Sequence, residues 1–283
     1  MTIPTIQLID GTRIPRVGFG TSGLKGAEGV QTLITAINTG YKLLDTGYNY
    51  ENEATVGQAV KKSSVSRENL LVSSKLPGRH HKYKDAIAAI QESLYRAGLD
   101  YYDLYLIHWP NPMRDEYVEA WQALIDAKRF GLIRSIGVSN FLPEHLEKLK
   151  NETGVLPTVN QVELHPLFSQ KEQRNYHKKH QIITEAWSPL GGVAHSLSKP
   201  ITELPLLVEL AQKYHKNVGQ IILRWEIQLN VIPVPLSRNP FRQQENLNIF
   251  DFELTEDEIQ QIIDLDQDDA RVSSQDPRTH EEL

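Results

Sequence analysis

A repeating alternation of short apolar runs and helix-length segments limits what this chain can fold into. The runs end near Gly20, Asp45, Lys75, His108, Asn140, Gln161, Trp187 and Ser237. Successive ends lie 25, 30, 33, 32, 21, 26 and 50 residues apart. Each step leaves room for one helix, and eight such strand–helix units close naturally as a (β/α)8 barrel. The last step has space for an extra loop or helix. With 283 residues, the whole chain 1–283 is expected to form a single barrel domain.

Helical segments are expected at 29–38, 85–97, 115–130, 143–151, 170–180, 204–215 and 218–228, followed by 241–248 and a final one at 255–266. In the second of these, Ile87, Ile90 and Leu94 recur at helical spacing, and Asp85 reads as its N-cap. Pro143 suits a first-turn position, and Thr255 with Glu258 forms a capping-box pattern. Before the first unit, Asp10-Gly11 between two short runs predicts a hairpin. The tail 266–283 is polar and reads as irregular, and its last part, 271–283, is short and is expected to cover a pocket.

Composition narrows the chemistry. Formal net charge is −6, which argues against a nucleic-acid partner, and the basic stretch His80–Lys84 reads as a solvated loop. There are no cysteines, so disulfides, zinc–thiolate centres and thiol nucleophiles are excluded. The first residues show no signal-peptide pattern, and no run approaches the roughly 18–20 apolar residues of a membrane span. A soluble cytoplasmic protein is the expectation.

Gly18, Gly20 and Gly23 spell G-x-G-x-x-G, with Asp45 ending the next run, which on paper is the dinucleotide fingerprint of a doubly wound fold. The run before it contains Pro15 and two arginines, Arg13 and Arg16. A central parallel strand is apolar on both faces and free of proline, so the fingerprint stands in the wrong context.

Asp45, Lys75 and His108 end successive runs, and Tyr50 follows Asp45 by one loop. In a barrel, all four reach the C-terminal rim, where active sites form. A phenol titrates near pH 10, and a neighbouring ammonium lowers that value. Lys75 supplies the ammonium, Asp45 pairs with it, and His108 donates to a carbonyl oxygen held near Tyr50. Together they protonate an oxygen on which negative charge develops, as in carbonyl reduction, where a cofactor must bring the hydride.

The segments Leu43–Glu53, Ser73–Leu76, Leu106–Pro110, Gly131–Phe141, Asn160–Pro166 and Ala186–Gly191 resemble the aldo-keto reductase signatures, in order. The likeness runs from the hairpin to about Leu254. It is nearest the bacterial group that includes 2,5-diketo-gluconate reductases. The resemblance implies a metal-free NAD(P)H-dependent reductase of aldehydes or ketones with Tyr50 as general acid, and a monomer. It implies that Ser139, Asn140 and Gln161 hold the nicotinamide carboxamide and that Trp187 stacks on the ring. Gly20, Thr21, Ser188 and Leu190 line the cofactor, and Trp109 walls the substrate pocket. His165 lies inside a matching motif and reads as structural. His177 and His180 share a helix face but lack a third metal ligand.

The adenosine-phosphate segment of the family aligns with 235–246, implying cofactor contacts from Ser237, Arg238, Asn239, Arg242, Glu245 and Asn246. Its lysine is replaced by Leu236, so Arg238 and Arg242 are left to clamp a 2′-phosphate. NADP is the expected cofactor, with NAD possible through weakened selectivity. Ser22 stands where many relatives carry a bulky aromatic, which opens the pocket. Two rivals remain: a cofactor-binding barrel without catalysis, and a doubly wound dehydrogenase.

Overall fold

The computed structural model describes residues 3–192, 200–268, 270–272 and 275–282. A hairpin opens the chain: β1 (Thr5–Gln7) pairs antiparallel with β2 (Arg13–Pro15). Eight parallel strands follow: β3 (Phe19–Gly20), β4 (Leu43–Asp45), β5 (Leu71–Leu76), β6 (Tyr102–Ile107), β7 (Ile133–Ser139), β8 (Val159–Glu163), β9 (Ile183–Trp187) and β10 (Val231–Pro233). They pair in chain order. The sheet curls until its ends meet, where the Gly18 amide donates to Pro233 O at 2.9 Å and the Gly20 amide to Pro235 O at 3.0 Å. A Cβ on Gly18 would lie 3.0 Å from Leu43 and 3.4 Å from Val234, so the seam is tight.

Helices cover the outer face: α1 (Gly26–Thr39), α2 (Glu53–Lys62), α3 (Tyr83–Ala97), α4 (Tyr117–Arg129), α5 (Pro143–Thr153), α6 (Lys171–Lys179), α7 (Pro205–Tyr214) and α8 (Val218–Gln228). Beyond the last strand lie α9 (Pro240–Leu247) and α10 (Glu256–Ile263). Strand alternation sorts the side chains. On β6, Leu104 and Leu106 enter the barrel, while Tyr105 and Ile107 meet the helices. Leu8 and Ile14 of the hairpin join that inner cluster with Leu43, Val159, Ile183 and Ile232, closing the N-terminal end.

Three sequence expectations need correction. Helix α2 is absent from the helices expected above, although Glu53, Val56, Gly57 and Val60 form a buried stripe along it. It packs so closely on α3 that a Cβ at Gly57 would lie 1.7 Å from Ala97 O. Helix α3 begins two residues before Asp85. Lys82 is its N-cap and Asp85 lies in the first turn, where a carboxylate meets the helix dipole. The last strand ends at Pro233, short of Ser237, and beyond the Val234 amide, which donates to Ala186 O at 3.0 Å, Pro235 lacks the N–H that would extend the ladder. The Thr255–Glu258 box and the first-turn Pro143 occur as expected. Gly18–Gly23 forms a two-residue barrel strand and its exit turn, not a doubly wound crossover. No described helix is long and apolar enough to cross a membrane.

Candidate active site

Parallel strands end at one rim, and the four chemistry-bearing residues meet there. Asp45 is the last residue of β4, Lys75 the penultimate one of β5, and His108 the first after β6. Tyr50 ends a 3-10 turn, Tyr48–Tyr50. Asn52 anchors that loop by donating to Thr21 O at 2.7 Å and Leu24 O at 3.1 Å, and Thr46 Oγ1 donates to its Oδ1 at 2.6 Å.

Lys75 Nζ donates to Asp45 Oδ2 at 2.7 Å and to Thr46 O at 2.8 Å, with its side chain sealed from solvent. Its ammonium lies 5.0 Å from the centre of the Tyr50 ring. Asp45 Oδ1 also accepts from Ser73 Oγ at 2.9 Å and Gln161 Nε2 at 3.1 Å. The His108 ring meets Tyr50 edge-on at 5.8 Å.

Burial alone would drive Lys75 toward neutrality. The charges of Asp45 and Tyr50 outweigh it, so the lysine is raised above its usual value and stays an ammonium. Tyr50 departs from the sequence expectation. Burial raises the phenol more than Lys75 lowers it, and Asp45 adds to the rise. The phenol therefore keeps its proton at neutral pH. One layer deeper, Glu185 accepts from Gln161 Nε2 at 3.0 Å. Burial first, then the Asp45 charge, push Glu185 up to about 7.

A cavity of about 690 Å³ opens over this group. Gly20, Thr21, Asp45, Tyr50, His108, Trp109, Ser139, Asn140, Gln161, Trp187, Ser188, Leu190 and Arg242 all line it, as does Ser22. Trp187 Nε1 donates to Asn140 Oδ1 at 2.8 Å, which fixes the indole plane. Asn140 Nδ2 in turn donates to His108 O at 3.1 Å and to Ser139 Oγ at 3.0 Å.

A family model described as the Aldo/keto reductase family matches residues 16–267. The chain belongs to that family. As such it is an NAD(P)H-dependent oxidoreductase. It is 49% identical over 281 residues to 2,5-diketo-D-gluconic acid reductase B of a Corynebacterium species, covering 99% of each chain. It is 42% identical to methylglyoxal reductase DkgA of Escherichia coli over 94% of this chain and 95% of that one. Among solved structures, a Bombyx mori aldo-keto reductase in complex with NADP superposes with a TM-score of 0.88 at 36% identity. That match covers 99% of this chain and all of the other.

Several residues expected to hold the cofactor lie apart from the cavity in this reductase. Arg238 turns away, donating from Nη2 to Gly23 O at 2.9 Å, with Nε 4.0 Å from Glu28. Asn239 is the N-cap of α9, accepting from Phe241 N at 2.9 Å. Ser237 Oγ accepts from the Asn239 amide at 3.1 Å. Asn246 is buried near Tyr41, and Glu245 is exposed. Lys75 supports the rim from behind and does not line the cavity.

Three histidines outside the site have structural partners. His165 Nε2 is 3.1 Å from Glu163 Oε1. His177 bridges Asn160 Nδ2 at 2.9 Å and Thr184 Oγ1 at 2.8 Å, and burial pulls it down to about 3. His180 stacks on Tyr176 at 4.3 Å.

The sequence reading had the tail cover the pocket but named none of its residues. Gln275, His280 and Glu282 all line the cavity. Their only sequence signal is a polar segment ending in consecutive acidic residues, which names no position in space. Glu185 was missed as well, although a carboxylate inside an apolar strand run is a visible anomaly.

Proposed function

We propose that this reductase converts aldehyde and ketone carbonyls to alcohols with NADPH, and that Tyr50 delivers the proton. The observation carrying this reading is the sealed Lys75–Asp45 pair beneath the Tyr50 ring, at 2.7 Å and 5.0 Å. A permanent ammonium there favours the phenolate left after proton donation. Burial keeps the phenol protonated beforehand, so the acid still holds its proton near neutral pH. His108, edge-on to Tyr50, directs the carbonyl oxygen to the phenol and stabilises negative charge as it develops.

The lining fits a nicotinamide dinucleotide. Trp187 offers a flat face with a fixed plane, Ser139, Asn140 and Gln161 supply amide and hydroxyl groups, and Arg242 supplies a cation. A cavity of this size lies within the usual range of about 300–1,000 Å³ for ligand pockets. A Cβ at Gly20 would come within 3.2 Å of Val234 O, so only glycine leaves that stretch of the lining flat. When bound, NADPH supplies the hydride.

Arg242 is assigned to the 2′-phosphate. Arg238 joins it only by leaving Gly23 O, and Leu236 in the cavity wall contributes no charge. Small aldehydes, diketones and keto sugars are the proposed substrates. The same reading treats 1–283 as one barrel domain acting as a cytoplasmic monomer.

The test follows absorbance of the reduced nicotinamide with a panel of aldehydes, diketones and keto sugars, separately with NADPH and NADH. Oxidation by the wild type that disappears in Tyr50→Phe supports the reading. Tight NADPH binding without turnover would favour a binding protein on the same barrel.

A further inference from the structure

The C-terminal tail brings a second carboxylate into the reaction site. Glu282 Oε1 lies 2.6 Å from His108 Nδ1. Asn49 Nδ2 donates to the same oxygen at 2.7 Å, and the Gly78 amide donates to Oε2 at 3.0 Å. The main chain is pinned too. Asn111 Nδ2 donates to Glu282 O at 2.7 Å, and the Glu282 amide donates to Asn111 Oδ1 at 3.1 Å. Gly78 is shaped for this docking, since a Cβ there would lie 2.5 Å from Glu282 O and 2.2 Å from Asn111 Nδ2.

Nearby tail residues close the wall. His280 packs edge-on against Trp109 at 4.4 Å, and Glu281 Oε1 accepts from the Met113 amide at 2.7 Å. The Glu282 side chain is only 12% exposed. Burial raises its carboxyl, yet the His108 charge and the Gly78 and Asn49 hydrogen bonds bring it below the usual value, so it is ionised at neutral pH.

We infer that Glu282 is a specificity residue that holds a carboxylate, paired with His108 Nδ1, in the place beside the reacting carbonyl where a substrate carboxylate would bind. It thereby turns away substrates bearing a carboxylate near that carbon, in favour of uncharged aldehydes and dicarbonyls. The inference rests on the assignment of Tyr50 and His108 above. The donors around this carboxylate, namely the Gly78 amide, Asn49 Nδ2 and His108 Nδ1, are already taken by Glu282. An anionic substrate must evict it and break those contacts, or stand against a like charge in a half-enclosed cavity. An uncharged carbonyl meets neither cost. Of the histidines that face this carboxylate, His108 alone pairs with it: burial pulls His81 down to about 4, and burial lowers His280 too.

The test uses 3-nitrobenzaldehyde and 3-carboxybenzaldehyde with NADPH. The nitro group matches the carboxylate in shape without its charge. In Glu282→Gln, the carboxy-to-nitro ratio of kcat/KM rises by at least about tenfold, mainly through KM for the charged aldehyde. In Glu282→Asp, which keeps the charge, the ratio stays within about threefold of wild type. A Glu282→Gln ratio close to wild type overturns the inference, as does an Asp variant that shifts as far as the Gln variant. If wild type oxidises NADPH with neither aldehyde nor any other carbonyl, the reductase reading itself fails. Turnover with an unmoved ratio removes only the role of Glu282.

Discussion

The Lys75 ammonium lies 2.7 Å from the Asp45 carboxylate with both side chains almost wholly withdrawn from solvent. Such a pair is costly to break from one side, because the remaining charge stays buried without a partner.

Lys75→Met therefore loses both chemistry and stability. Turnover is expected to fall by about 10²–10⁴-fold, and unfolding free energy by about 3–5 kcal/mol. Adding Asp45→Asn removes the orphaned charge and recovers most of the stability without the activity. Urea unfolding of the single and double variants, beside their initial rates, checks both halves. A single variant with normal turnover would refute the role given to Lys75.

Glu185 gives the protein a pH-dependent stability. Its folded value of about 7 exceeds the usual 4.5, so the native state holds a proton that the unfolded chain has lost between those two values. Stability contributed by that proton is present in full below about pH 4.5 and is lost as pH rises to 7. The loss is on the order of 3 kcal/mol, from roughly 1.4 kcal/mol per pH unit. Glu185→Gln flattens this slope and is the more stable protein at pH 8. Denaturation midpoints at pH 5 and pH 8 measure it, and parallel curves for the two proteins would contradict it.

Cofactor selectivity divides the two arginines. Arg242 lines the cavity, whereas Arg238 is held by Gly23 O. Arg242→Ala is expected to weaken NADPH about tenfold or more and to leave NADH little changed, with a smaller effect from Arg238→Ala. Quenching of tryptophan fluorescence on titration with each nucleotide gives the four dissociation constants. Equal losses for NADPH and NADH would move the phosphate contact elsewhere.

Helix packing predicts one severe small-to-large change. A Cβ at Gly57 would lie 1.7 Å from Ala97 O, and neither helix backbone has a flexible atom to yield. Gly57→Ala should cost about 1–3 kcal/mol or more by forcing α2 and α3 apart. Chemical denaturation measures the cost, and an unchanged midpoint would show that the helices slide freely.

The barrel was legible because the parallel strands are largely buried on both faces and a polar or charged residue stands at or beside the end of several of them. Asp45, Lys75 and His108 mark three such stops, and their shared rim follows from parallel pairing. The physics that is local to a strand end survives in the sequence. Other features depend on partners far away. Asp85 looks like a cap until Glu119, on α4, satisfies the Tyr83 amide at 3.2 Å and α3 starts earlier. Helix α2 hides because Gly57, which sequence rules count against a helix, is there for close packing. Glu282 meets His108 across 174 positions with no periodic pattern between them, so only the folded tail reveals it.

The ring is stitched shut by hydrogen bonds from Gly18 and Gly20, and β3 contributes only two residues to the sheet. The cavity straddles that seam, with Gly20 and Thr21 on one lip and Val234, Pro235 and Leu236 on the other. Whatever fills it grips the first and last strands at once, as a clasp grips the two ends of a bracelet. Occupancy and mechanical integrity are thereby linked in this barrel, at the edge that is most lightly sewn.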